Sequence, residues 1–193
     1  CVHREAAPGL SRFLTEAQRR RQMNVSTQHS TKANEAMFRL DGKVALVTGA
    51  SRGIGEAIAR ALARQGVHVI VSSRKAESCE RVAESIRHSG GQTSALACHI
   101  SDVDQLAGTF ASISEKHGKL EVLVNNAAAN PYFGPAVQTP LEAFQKTVDV
   151  NIRGYFFSTV NAVRVMPRGG SIINVASISG LVPGPQQGIY SIT

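Results

Sequence analysis

Tryptophan is absent from this 193-residue chain, and aromatic residues make up only 5% of it. So few rings leave little to stack on bases. The basic residues outside the first stretch are also dispersed among acidic ones on helix faces, which excludes a nucleic-acid surface despite a formal net charge of +7. Residues 1–36 hold six basic residues against three acidic ones, so +3 of that excess lies outside the core region. Cysteine is equally scarce. Cys1, Cys79 and Cys98 form no C-x-x-C pair, and Cys98 closes an apolar stretch as a small buried thiol would, which points to a reducing compartment. His3, His29, His68, His88, His99 and His117 show neither H-E-x-x-H nor clustered ligand spacing, so no metal site is expected. No internal repeat is visible, and the length and 42% hydrophobic content suit one domain with a substantial core.

Residues 1–36 are rich in Gln, Ser and Thr and lack an apolar h-region, so they are expected to be a disordered leader or a non-native extension, neither a secretory signal nor a membrane span. Interspersed glutamates argue against a transit peptide. Met37 leads directly into the first strand and is the expected natural start of the folded domain, 37–193.

The run Thr48, Gly49, Ala50, Ser51, Arg52, Gly53, Ile54, Gly55 lies between the apolar stretch Val44–Val47 and the helix-forming stretch Glu56–Arg64. A strand that turns directly into a helix leaves the first helical amides unpaired at the positive end of the helix dipole, where phosphate binds. Glycine is needed because a Cβ would hold the phosphate away. The spacing G-x-x-x-G-x-G meets the logic of a dinucleotide fingerprint, though not the letter of G-x-G-x-x-G.

From residue 43 onward, short apolar strands alternate with amphipathic helices. The pattern predicts strands at Val44–Thr48, His68–Ser72, Thr93–His99, Val122–Asn125 and Ser171–Ala176, and helices near Gly53–Gln65, Ala76–His88, Val103–His117 and Leu141–Met166. Alternating βα units of this kind imply an α/β fold, a doubly wound parallel sheet with right-handed crossovers. After the second strand, Ser73 stands where an acidic residue would bind the ribose hydroxyls of NAD. Arg74 is beside it and Arg52 reaches from the glycine run, which favours the 2′-phosphate of NADP. The fourth strand leaves through Asn125, Asn126, Ala127 and Ala128. The asparagines can satisfy backbone groups in neighbouring loops, and the alanines let a cofactor ring approach.

Asn151, Ser177 and Tyr190 each have a structural reading when taken alone: a buried polar group bonded to backbone, a strand-end turn residue and a packed ring with a wet hydroxyl. Thr48-Gly-x-x-x-Gly53-x-Gly55, Asn125-Asn126-Ala127, Asn151, Ser177 and, thirteen residues later, Tyr190 together resemble the short-chain dehydrogenase/reductase family over residues 39–193. Asn125–Gly134 and Val71–Lys75 are most similar to its NADP-dependent carbonyl and retinal reductase branch, of dehydrogenase/reductase member 4 type.

The resemblance implies NADP(H) held by Gly49, Ser51, Arg52, Gly53, Ile54, Gly55, Ser73, Arg74, Asn126 and Ala127. It implies a hydride transfer between the nicotinamide and a small-molecule carbonyl or alcohol, with Tyr190 giving or taking the proton and Ser177 bonding the same oxygen. Asn151 would anchor a helix distortion and a water. The family's lysine, four residues after the tyrosine, falls at position 194, and this sequence stops at Thr193. The fold is therefore expected to be incomplete at its C-terminus, poorly stable or aggregating as it stands, with a fifth strand left as an apolar edge. Ala128 replaces a usual glycine, and His99 replaces an aspartate that commonly contacts the adenine. A 3-oxoacyl-thioester reductase and a catalytically dead NADP-binding module remain alternatives. The resemblance further implies a homo-oligomer, a tetramer in full-length relatives, with no membrane partner. A cytoplasmic location is expected unless a C-terminal peroxisomal address follows.

Overall fold

A computed structural model describes residues 38–193. The readings of the leader and of a start at Met37 lie outside the described residues. Leu40–Thr193 forms one compact unit. Its elements run β1 (Val44–Thr48), α1 (Gly53–Arg64), β2 (His68–Ser73), α2 (Ala76–His88), β3 (Thr93–Ala97), α3 (Val103–His117), β4 (Val122–Asn125), α4 (Leu141–Val148), a π-helical segment (Asp149–Gly154), α5 (Tyr155–Val165) and β5 (Ser171–Asn174). Single 3₁₀ turns occupy Ala136–Gln138, Ile178–Gly180 and Tyr190–Ile192.

All five strands are parallel, in the order β3-β2-β1-β4-β5. β1 is buried along its whole length because alternate side chains enter different cores. Val44 and Leu46 join Ile70, Phe110, Ile113 and Leu123 on one face, while Ala45 and Val47 join Val69, Val71, Ala59 and Val82 on the other. The covering helices repeat the spacing that places four side chains on one face: Cys79, Val82, Ala83 and Ile86 in α2, and Leu106, Thr109, Phe110 and Ile113 in α3. Asp102 starts α3 by accepting from the amides of Asp104 and Gln105 at 3.1 and 3.0 Å, and Gly118 ends it at φ 75°.

The predicted boundaries move at strand and helix ends. β2 runs one residue further, to Ser73, while β3 stops at Ala97 and β5 at Asn174. The helix expected across Leu141–Met166 is broken by the π-helical segment. There Gly154 lies so close to Ile100 that a Cβ would meet its side chain and its carbonyl at 3.0 Å. β5 is largely exposed, unlike the other four strands.

At the N-terminal end of the strands, the carboxylate of buried Glu121 accepts from the Val44 amide at 2.9 Å and meets Lys119 Nζ at 2.5 Å. Burial opposes its charge, yet the Lys119 ammonium and the Val44 amide outweigh burial and hold the carboxyl below the ordinary glutamate range. A pKa depressed in the folded state stabilises the fold above the unfolded-state value, near 4.3, and that contribution disappears as pH falls through the folded-state value. Glu121→Ala should therefore cost about 2 kcal/mol at neutral pH. In paired thermal melts, its deficit against the unsubstituted chain should shrink below about pH 4.

Candidate functional site

The chain leaves β1, fills one side of the sheet with β2 and β3, and returns to the other side of β1 with β4, so the β1 and β4 ends diverge at a switch point. A cleft of about 840 Å³ opens there, walled by Thr48–Gly55 without Ala50, Ser72–Lys75, Cys98–Ile100 and Asn126–Pro131. Every nucleotide-binding residue expected from the sequence lines it: Gly49, Ser51, Arg52, Gly53, Ile54, Gly55, Ser73, Arg74, Asn126 and Ala127.

Thr48 and Asn126 hold the two strand ends together. Thr48 Oγ1 donates to the Val124 carbonyl at 3.2 Å and accepts from the amides of Asn126 and Ala127 at 3.0 and 3.2 Å. Asn126 Nδ2 donates to the carbonyls of Thr48 at 2.9 Å and Gly49 at 3.3 Å. The amide of Asn126 thus shapes the glycine turn from behind. Asn125 behaves differently from expectation: its amide nitrogen bonds side chains, Asn174 Oδ1 at 2.9 Å and Thr159 Oγ1 at 3.2 Å, and not loop backbone. α1 begins at Arg52 with no side-chain cap, so its first amides remain available to an anion.

The electrostatics of the cleft are one-sided. Arg52, Arg74, Lys75, Arg81 and Lys146 line it, and among the described residues no carboxylate does. Arg74 and Lys75 precede α2, whose start also lacks a side-chain cap. Cations there oppose the helix dipole unless an anion sits among them. Lys146 Nζ lies 3.2 Å from His99 Nε2, and His99 Nδ1 lies 2.8 Å from Ser101 Oγ. Burial, then Lys146 and Arg74, push the His99 imidazolium pKa down, so the ring is neutral at pH 7. Cys98 forms part of the wall, and burial raises its thiol. Arg81 and Lys146 carried no local sequence signal, because helix faces far apart in the chain bring them to the cleft.

The three residues read as catalytic do not line this cleft. They gather beyond Ala129. Asn151, in the π-helical segment, accepts from the Ala129 amide at 2.8 Å and donates to its carbonyl at 3.0 Å and to Thr193 Oγ1 at 2.9 Å. Thr193 Oγ1 in turn donates to the Tyr190 carbonyl at 3.0 Å. Ser177 opens the Ile178–Gly180 turn, which packs against the Tyr190–Ile192 turn, and its Oγ accepts from the Ser179 amide at 3.2 Å, leaving its own O–H free to donate. Tyr155 stands nearby, but its hydroxyl donates to the Val175 carbonyl at 3.3 Å. Burial and then the charge on Tyr190 push its pKa up to about 12, which removes it from proton transfer near neutrality. The Gly134 amide donates to the Gln186 carbonyl at 3.0 Å, closing the loop after β4 against the segment before Tyr190.

Among the described residues no group of His, Cys, Asp and Glu is placed to hold a metal, and no helix is long and apolar enough to cross a membrane.

A family model described as short chain dehydrogenase matches residues 43–193. Dehydrogenase/reductase SDR family member 4 of Bos taurus is 38% identical over 156 residues, which cover 80% of this chain and 56% of that protein. The chain thus spans less than two thirds of that relative's length. A metagenomic short-chain oxidoreductase solved in complex with NADP superposes with a TM-score of 0.76 at 34% identity, covering 79% of this chain and 70% of its own. The landomycin C-6 ketoreductase LanV, solved with NADP and rabelomycin, gives 0.73 at 39% identity, covering 80% and 65%.

Proposed function

This chain belongs to the short-chain dehydrogenase/reductase family, and from that membership and the cationic cleft we propose an oxidoreductase that uses NADP(H) on a carbonyl or secondary alcohol. The observation that carries the reading is the set Arg52, Arg74 and Lys75 around Ser51 and Ser73, with no carboxylate among the described residues of the lining. That donor set fits a dinucleotide bearing a 2′-phosphate, since an acid at Ser73 would instead suit free ribose hydroxyls. The two solved neighbours named above carry NADP.

Bound NADP(H) would supply the hydride in reduction and its acceptor in oxidation. The uncapped start of α1 and the glycine turn would hold the pyrophosphate. Tyr190 gives the proton to the carbonyl oxygen in reduction and takes it back in oxidation, while the free O–H of Ser177 bonds that same oxygen. Asn151 positions both sides of this site, because it holds Ala129 at the cleft end and, through Thr193, the Tyr190 turn. Phe133 is exposed in the loop Asn130–Phe133 and offers an apolar or aromatic wall, which supports an apolar or aromatic substrate. Leu141, Phe144, Phe156 and Val163 are exposed on α4 and α5 and support assembly into a homo-oligomer.

Equilibrium titration with NADPH and NADH tests the reading directly. NADPH should bind at least about tenfold tighter, the equivalent of 1.4 kcal/mol. Equal affinity would refute it. Where NADPH-dependent turnover of an aromatic ketone is measured, Tyr190→Phe should lower kcat by about a hundredfold or more with NADPH affinity unchanged.

A further inference from the structure

Arg81 stands on α2, exposed, in the wall of the cleft. Glu77 and Glu84 lie four residues before and three after it, the helical spacings at which a carboxylate ordinarily takes up an arginine. Arg81 pairs with neither: among the described residues the ion pairs are Glu56–Arg60, Glu80–Arg87, Lys119–Glu121 and Asp149–Arg153. Its Nη2 donates to the backbone carbonyl of Ser51 at 2.9 Å, across thirty residues of sequence.

That carbonyl belongs to the peptide joining Ser51 to Arg52. In a trans peptide the carbonyl and the following N–H point to opposite sides of one plane, so fixing the first fixes the second and the departure of the next Cα. Arg52 has extended backbone, φ −167° and ψ 168°, and starts α1 without a side-chain cap. The ties from Asn126 and from the Ala50 amide to Ser72 hold the Gly49 side of the turn. On the Ser51 side the bond from Arg81 does that work. A guanidinium has five N–H donors, so one bond to Ser51 leaves others for the cleft.

We propose that Arg81 is a positioning residue that sets nucleotide specificity: it orients Ser51 and Arg52 toward the 2′-phosphate and keeps an unneutralised cation beside them. This rests on the NADP(H) reading above and adds a residue from outside the glycine turn and the β2 end.

The test titrates NADPH and NADH into the unsubstituted chain, Arg81→Met and Arg81→Lys. Arg81→Met should raise the NADPH Kd about tenfold or more and the NADH Kd no more than about twofold. The part of the loss that comes from loop position should persist at about 0.5 M salt, where the part that comes from bare charge is screened. Arg81→Lys keeps the charge but not the planar donor fork and should lie between the unsubstituted chain and Arg81→Met. A wild-type NADPH-to-NADH ratio in Arg81→Met, or equal loss of both nucleotides, would overturn the role of Arg81 alone. An unsubstituted chain that does not prefer NADPH would overturn the NADP(H) reading, and the role of Arg81 with it.

Discussion

Gly55→Ala is expected to lower the melting midpoint by roughly 6–12 °C and to weaken NADPH binding at least about tenfold. A Cβ at this position would lie 2.4 Å from Asn126 Nδ2, 2.6 Å from the Gly49 carbonyl oxygen and 3.0 Å from Ala50 Cα. Two of these three are backbone atoms of the turn itself. The third is the amide that bonds the Thr48 and Gly49 carbonyls, so moving it away breaks those bonds. Overpacking of about 1–3 kcal/mol and loss of a buried hydrogen bond of about 1 kcal/mol together give the expected cost, about 3 kcal/mol. Gly53 supplies the control. A Cβ there would meet nothing within 4 Å, and only its φ of 60° demands glycine. Asparagine tolerates that left-handed conformation, so Gly53→Asn should melt close to the unsubstituted chain while Gly55→Asn should fail at least as badly as Gly55→Ala. Calorimetry on the three variants decides it, and equal losses at Gly53 and Gly55 would refute the packing account.

These two glycines show where sequence reading stops. The motif marked the turn correctly, and all ten residues expected to hold the nucleotide line one cleft. Room for a phosphate is a reason for glycine that local chemistry alone supplies. The crowding of Gly49 and Gly55 by Asn126 and Ala127 comes from β4 packing beside β1, about seventy residues away in sequence, and no local pattern carries it. The alternation of strands and helices, which depends on period alone, gave the parallel sheet and the helices over α2 and α3 with the observed bounds. It did not give the break in the long helix at Asp149–Gly154, since one added backbone residue hardly disturbs an apolar period. Only the resemblance placed a helix distortion at Asn151. Arg81 and Lys146 reach the cleft through tertiary placement on α2 and α4, so their helical neighbours in sequence pointed elsewhere.

Arg74→Glu should have the largest effect on nucleotide choice, raising the NADPH Kd by about a hundredfold and the NADH Kd by less than about threefold. A phosphate monoester carries a charge of about −1.5 to −2 at pH 7. Losing a charge-assisted hydrogen bond to it costs about 1.5–3 kcal/mol, and a carboxylate in the same place adds repulsion. His99 reports the same change without any turnover. Burial first, then Lys146 and Arg74, hold its pKa below the ordinary value, while Asp102 acts in the opposite direction. Arg74→Glu replaces a charge that disfavours the imidazolium with one that favours it, so the His99 pKa should move upward in a proton NMR titration of the nucleotide-free chain. Binding of a 2′-phosphate beside Arg74 should raise it in the unsubstituted chain for the same reason. By linkage, NADPH binding then takes up protons at pH values near the His99 pKa, and NADH binding takes up fewer. An Arg74→Glu protein that loses both nucleotides equally would show that Arg74 serves the pyrophosphate or the fold, even with a shifted His99. One that loses neither, with His99 shifted, would place the 2′-phosphate away from Arg74 and remove the basis for choosing NADP over NAD.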